Sequence, residues 1–158
     1  MKIILAYDRP DSVRELFLEY TNLLIEGDPN FIVYLELQNY DDEISNLEKK
    51  YGLPKGRLYL AYDNEKLVGC IGLREIDENN CEMKRLYVRD NFRGLGIGKM
   101  LVSKLIQDAV DIGYSHMLLD TLPFLENAIK MYKDFGFYEI EPYNDSPMGN
   151  SIYMRLDL

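Results

Sequence analysis

The chain has 158 residues, 47% hydrophobic and 28% charged, enough for one domain to build its own core without a metal or disulfide staple. Eighteen Lys and Arg against 27 Asp and Glu leave a net charge of −9, which opposes general attraction to nucleic acid or to an anionic lipid surface. No apolar run approaches the roughly 20 residues of a bilayer span, and the N-terminal Met1-Lys2-Ile3-Ile4-Leu5 is too short for a signal peptide, so a cytoplasmic location is expected.

Residues 2–6 read as a short strand. Pro10 then opens a helix in which Val13, Leu16, Phe17, Tyr20 and Leu24 recur at helical spacing until Gly27-Asp28-Pro29 stops it. Residues 31–40 are ambiguous: alternation of Phe31, Val33, Leu35 and Leu37 suits an extended segment, and the length also suits a loop over a substrate. An amphipathic helix is predicted over residues 41–50, capped by Asp41 or Asp42. Strands at 57–62 and 67–75, joined by Asp63-Asn64-Glu65-Lys66, form a hairpin, and Asp77-Glu78-Asn79-Asn80 turns into a third strand over 82–88.

Next comes the loop Arg93-Gly94-Leu95-Gly96-Ile97-Gly98, and from about Lys99 a helix whose Met100, Leu101, Leu105, Ile106, Ala109 and Ile112 keep one face apolar until Gly113. A strand at 116–121, a helix at 125–135 closed by Gly136, and strands at 137–140 and 151–156 complete one α/β (α+β) domain over residues 1–158. Its first half is mostly antiparallel. Cys70 and Cys81 lie in strand segments without C-x-x-C spacing and read as buried thiols, and no set of residues has metal-ligand spacing, so no metal is expected.

A glycine-rich turn entering a helix presents unpaired N–H groups at the positive end of the helix dipole, which suits phosphate. Glycines at 94, 96 and 98 do not fit the G-x-G-x-x-G dinucleotide spacing. A nucleoside-triphosphate loop fails too, since Arg93 stands where glycine is required and Met100 cannot ligate magnesium. What remains is [QR]-x-x-G-x-[GA] at Arg93, Gly96 and Gly98, between a strand and an amphipathic helix.

With this loop, the Ile129-Lys130-Met131-Tyr132-Lys133-Asp134-Phe135-Gly136-Phe137 element and a terminal strand, the chain resembles the GCN5-related N-acetyltransferase (GNAT) family along its whole length. The resemblance implies a single GNAT-like domain: a mixed, mostly antiparallel central sheet with helices on both faces and strands splayed at the coenzyme site. It also implies acetyl-CoA as cosubstrate. Main-chain groups of Leu86, Tyr87 and Val88 would pair with the pantetheine arm, the N–H groups of Gly94, Leu95, Gly96, Ile97, Gly98 and Lys99 would hold the pyrophosphate beside Arg93, and Lys99 or Arg89 would reach the adenosine phosphate. The implied activity is direct acetyl transfer to a primary amine of a small molecule or peptide, with a non-catalytic acyl-CoA-binding regulatory module as the alternative and a homodimer compatible with either.

Transfer to an amine needs a neutral nitrogen and a proton for the departing thiolate. Tyr132, four residues before Gly136, matches the family's general acid, and the rival reading places it in the apolar stripe of Leu125, Ala128, Ile129 and Phe135. Glu82, eleven residues before Arg93, matches a base carboxylate of some members, or else pairs with Lys84 or Arg85. Alternation would put Glu82, Lys84, Leu86 and Val88 on one face. The family asparagine seven residues before the tyrosine is replaced by Leu125, and Asn127 should face elsewhere. His116 reads as structural or as a surface residue, and Tyr143 or Asp145 in the loop before the last strand either recognises the amine or only crosses between strands.

Overall fold

The computed structural model describes residues 1–158. Seven strands, β1 (Lys2–Leu5), β2 (Arg57–Asp63), β3 (Lys66–Glu75), β4 (Asn80–Val88), β5 (His116–Thr121), β6 (Tyr138–Ile140) and β7 (Ile152–Asp157), form one sheet in the order β1-β2-β3-β4-β5-β7-β6. Every neighbouring pair is antiparallel except β4 with β5. The β2–β3 hairpin turns through Asn64 and Glu65 with φ 47° and 71°, a turn whose twist matches that of the flanking strands.

Six helices cover the two faces: α1 (Pro10–Gly27), α2 (Phe31–Leu37), α3 (Tyr40–Ser45), α4 (Leu47–Tyr51), α5 (Ile97–Ile112) and α6 (Glu126–Phe135). On one face Leu101, Val102 and Leu105 of α5 and Tyr132 of α6 join Ile71, Leu73, Met83 and Met117 in the main core. Val13, Leu16 and Phe17 of α1, with Leu47 and Tyr51, cover Leu58, Leu60 and Cys70 on the other. Both cysteines are buried free thiols. No helix is long and apolar enough to cross a membrane.

The ambiguous residues 31–40 are helical, not extended. Phe31, Tyr34 and Leu35, spaced i, i+3, i+4, are buried with Leu24, Leu122 and Met148, while Ile32, Val33 and Leu37 remain 48%, 49% and 64% exposed. The helix expected over 41–50 is two, because Asn46 breaks it with φ −142° and ψ 77°. Its start lies at Asn39, φ 53°, and neither Asp41 nor Asp42 caps it.

Candidate functional site

The site begins with a failure of strand pairing. β4 and β5 pair only at Asn80↔His116, Cys81↔Met117 and Glu82↔Leu118; continuing that register would set Lys84 opposite Asp120, but the strands have separated. On its other edge β4 stays bonded to β3 through Cys70↔Tyr87 and Gly69↔Val88. The β5-facing main chain of Leu86–Val88 therefore has no strand partner, the condition for pairing with an extended ligand.

A bulge at Arg85 produces the bend. Its φ is 60°, and the β3 register moves by one residue between Gly72↔Lys84 and Cys70↔Tyr87. The expected alternation fails for this reason: Leu86 and Val88 pack with Met83 against the main core, on the face opposite Glu82 and Lys84. A non-glycine residue in this conformation is strained, and the strain is offset by partners of the buried guanidinium. Nε donates to Glu43 Oε2 at 2.8 Å, and Nη2 donates to Glu43 Oε1 at 3.0 Å and to Gln38 Oε1 at 2.9 Å.

On the α5 side of the splay is a cleft of about 490 Å³, with 12 of its 19 lining residues hydrophobic. Gly94 and Gly96 have φ 81° and 82°, where a Cβ is strained, so the loop at the cleft mouth requires glycine. The first loop-to-helix bond is Met100 N to Gly96 O, so the amides of Ile97, Gly98 and Lys99 have no intrahelical acceptor. Arg93 anchors the loop to the strand: Nε donates to Val88 O at 2.9 Å, and the guanidinium pairs with Asp90.

Of the residues expected here, Leu86, Tyr87, Val88, Arg93, Gly94, Gly96, Ile97, Gly98 and Lys99 line this cleft, while the Leu95 side chain is 64% exposed and outside it. Arg89 is committed elsewhere: it pairs with Glu15 at 2.5 Å and Glu19 at 2.7 Å and so holds α1 to β4. Leu125 and Asn127 both line the cleft, so Asn127 faces the donor side rather than away from it.

Between the strands the cleft narrows to a cavity of about 40 Å³ that shares Tyr20, Leu86, Leu125 and Tyr132 with it. Tyr132, 7% exposed, packs on Phe137 with ring centroids 5.7 Å apart. Burial chiefly, then the nearby Tyr20 and Asp120, pushes its phenol well above the ordinary range, so it is protonated at neutral pH. Burial raises Tyr20 to about 12.

Beyond the cavity is a polar cleft of about 660 Å³, reached through Tyr34, Gln38 and Lys84, which line both. Glu82, 2% exposed, accepts from Arg74 Nε and from the Tyr143 hydroxyl, each at 2.6 Å, and lies 3.8 Å from Lys84 Nζ. Burial would raise its pKa, yet Lys84, Arg74 and the hydrogen bonds outweigh burial and lower it. Tyr143 is thus turned onto Glu82, and its phenol is raised by burial and by that carboxylate. His116 Nδ1 lies 3.1 Å from Asn80 Oδ1, far along β5 from the cavity, in a structural place.

Sequence reasoning missed Asp120, the acid that lines the narrow cavity. Tyr34 and Asn144 both donate to its Oδ2, the latter at 3.1 Å, which leaves Oδ1 open. One signal was available: Asp120 is the single acid in the strand His116-Met117-Leu118-Leu119-Asp120-Thr121.

Residues 12–137 match the sequence profile of the acetyltransferase (GNAT) family. An uncharacterized N-acetyltransferase of Schizosaccharomyces pombe is 42% identical over 142 residues, which span 89% of this chain and 87% of that protein. The crystal structure of an acetyltransferase from Streptococcus agalactiae superposes with a TM-score of 0.79 at 23% identity, covering 99% of this chain and 98% of that one. A GNAT family acetyltransferase from Elizabethkingia anophelis, solved with acetyl-CoA bound, superposes with a TM-score of 0.57 at 24% identity over 66% of this chain and 77% of its own.

Proposed function

The chain belongs to the acetyltransferase (GNAT) family and is an N-acetyltransferase, and on that premise we propose that it moves an acetyl group directly from acetyl-CoA to the primary amine of a small molecule. The observation that carries this reading is the continuity of three spaces: the glycine-loop cleft, the narrow cavity and the polar cleft run in series through the gap between β4 and β5. Donor and acceptor would therefore approach from opposite ends and meet beside Tyr132.

The cleft fits the donor. Free amides at the start of α5 suit pyrophosphate, the edge of Leu86–Val88 that has no strand partner suits the pantetheine amides, and apolar Phe92, Phe124 and Met131 flank them. Acetyl-CoA supplies an activated acyl thioester. Tyr132 Oη gives a proton to the departing sulfur. Asp120 Oδ1 faces the incoming amine: it attracts the ammonium, which gives up one proton to solvent in the polar cleft before attack, and it accepts a hydrogen bond from the neutral nitrogen, whose second proton is lost after attack and replaces the one Tyr132 gave to the sulfur. Glu82, already bonded by Arg74 and Tyr143, keeps those side chains and Lys84 in place, and its lowered pKa makes it a weak proton acceptor.

The premise is tested by adding acetyl-CoA to 100 times its Kd, which should stabilise the chain by about 2.7 kcal/mol, with free thiol released once an amine acceptor is supplied. Absence of both the thermal shift and thiol release across a broad amine panel would refute the reading. The two carboxylates separate by substitution. Asp120→Asn should lower kcat/KM for the amine roughly tenfold or more, the scale of a charge-assisted hydrogen bond, at every pH of the assay. If Glu82 were instead the base, Glu82→Gln would remove the acidic limb of the kcat/KM profile, and an unchanged limb leaves it the holding role.

A further inference from the structure

The polar cleft carries a charge imbalance that says what its occupant brings. Its interior and the narrow cavity it joins together hold the cations Lys50, Arg74, Lys84 and Arg85, with side chains 21%, 33%, 8% and 3% exposed. Facing them are three carboxylates, Glu43, Glu82 and Asp120, so the interior has one positive charge in excess. At the outer lip Asp42 pairs with Lys49 at 3.3 Å, and Glu75 and Asp145 are exposed to solvent, where their fields are screened.

The excess can be placed on one residue. Arg85 is fully engaged by Glu43 and Gln38, and Lys50 reaches Glu43 at 2.5 Å. Arg74 is bonded to Glu82 at 2.6 Å. Lys84 alone lacks a close carboxylate: its shortest contact is the neutral Gln38 amide oxygen at 3.1 Å, and Glu82 is 3.8 Å away. A buried ammonium with three donors and one neutral acceptor is incompletely satisfied. Lys84 lines both the narrow cavity and the polar cleft, and it stands on β4 where the interrupted register would face Asp120 on β5. The gap thus offers an anion on one wall and an under-paired cation on the other.

We propose that the acceptor is an amino acid or a close relative: its amine is presented at Asp120 and its carboxylate is bound by Lys84, with the outer guanidinium edge of Arg74 as the second donor. This inference rests on the acetyl-transfer reading and specifies its substrate class. In the reactive form, with the amine neutral, a bound carboxylate supplies the missing negative charge of the interior, and in either form it supplies the missing acceptor for Lys84 Nζ. A diamine would leave both wants unmet and would add a second buried cation.

The test compares the protein amino acids, β-alanine and 4-aminobutyrate with their carboxamides and with acid-free amines, by thiol release from acetyl-CoA and by calorimetric binding to the protein saturated with CoA. Acids should be preferred over matched carboxamides by about ten- to a hundredfold in kcat/KM, the range a charge-assisted hydrogen bond supplies. Lys84→Gln should erase that preference through KM, leaving the thermal shift given by acetyl-CoA intact, and Lys84→Arg should retain part of it. Should Lys84→Gln fail to fold, Arg74→Gln should reduce the same preference. Equal or better use of carboxamides or acid-free amines by the unsubstituted protein would overturn the proposal while leaving acetyl transfer in place. Silence toward every amine would overturn the transferase reading, and the proposal with it.

Discussion

Tyr132→Phe should lower the single-turnover rate of acetyl transfer by about a hundredfold, within the span that a positioned general acid contributes, while the KM for acetyl-CoA changes little. The expected size follows from where the ring sits. Tyr132 is 7% exposed at the point where the donor cleft opens into the narrow cavity, and its ring is fixed against Phe137, so the substitution keeps the packing and removes only the hydroxyl. With Phe in place, the thiolate would have to leave without a proton or draw one from a donor that is not positioned beside the sulfur. Because burial raises the phenol pKa, the protonated form persists to higher pH than for a free tyrosine, and Tyr132 should contribute no alkaline limb up to about pH 10. The variant should also remain folded, since no unpaired polar atom is created. A single-turnover rate within threefold of the unsubstituted protein, measured by rapid quench so that product release cannot mask chemistry, would reduce Tyr132 to a core residue.

The donor half of this site was legible in the sequence because its information is local. Arg93, Gly96 and Gly98 sit within six residues, and the strand and helix that frame them announce themselves by periodicity. The acceptor half is assembled from distant segments: Tyr34 from α2, Lys84 from β4, Asp120 from β5 and Asn144 from the loop before β7. No spacing rule connects them. The segment at 31–40 defeated pattern reading because its apolar residues satisfy both periods, and only packing of Phe31, Tyr34 and Leu35 against Leu122 and Met148 selects the helix. The bulge was invisible for a different reason. A one-residue slip in β4 flips every later side chain, and what stabilises it is Glu43, 42 residues upstream.

That distant pair predicts the largest stability effect in the chain. Glu43, 4% exposed, is held by Arg85 at 2.8 Å and Lys50 at 2.5 Å and accepts from the Tyr51 hydroxyl at 3.0 Å. Burial on its own would raise the carboxyl, but the two cations and their hydrogen bonds outweigh it and hold the pKa at about 2, against 4.5 for a free glutamate. A carboxylate whose pKa is depressed on folding contributes stability that is fully present above its unfolded value and is lost as pH falls through the folded one. Glu43 should therefore contribute about 3 kcal/mol above pH 4.5, disappearing between pH 4.5 and 2. Arg85→Met removes the main partner and leaves a buried carboxylate short of charge compensation, so stability at neutral pH should drop by about 3–5 kcal/mol. For a chain of this size that is a fall in Tm of roughly 10 °C, read by calorimetry. Arg85→Met combined with Glu43→Gln should recover more than half of the loss, because the stranded charge is gone. Additive losses in the double variant would show that the pair is not the anchor of the bulge. If it is the anchor, the single variant should also weaken acetyl-CoA binding, since the bulge is what turns Leu86–Val88 away from β5 and opens the donor cleft.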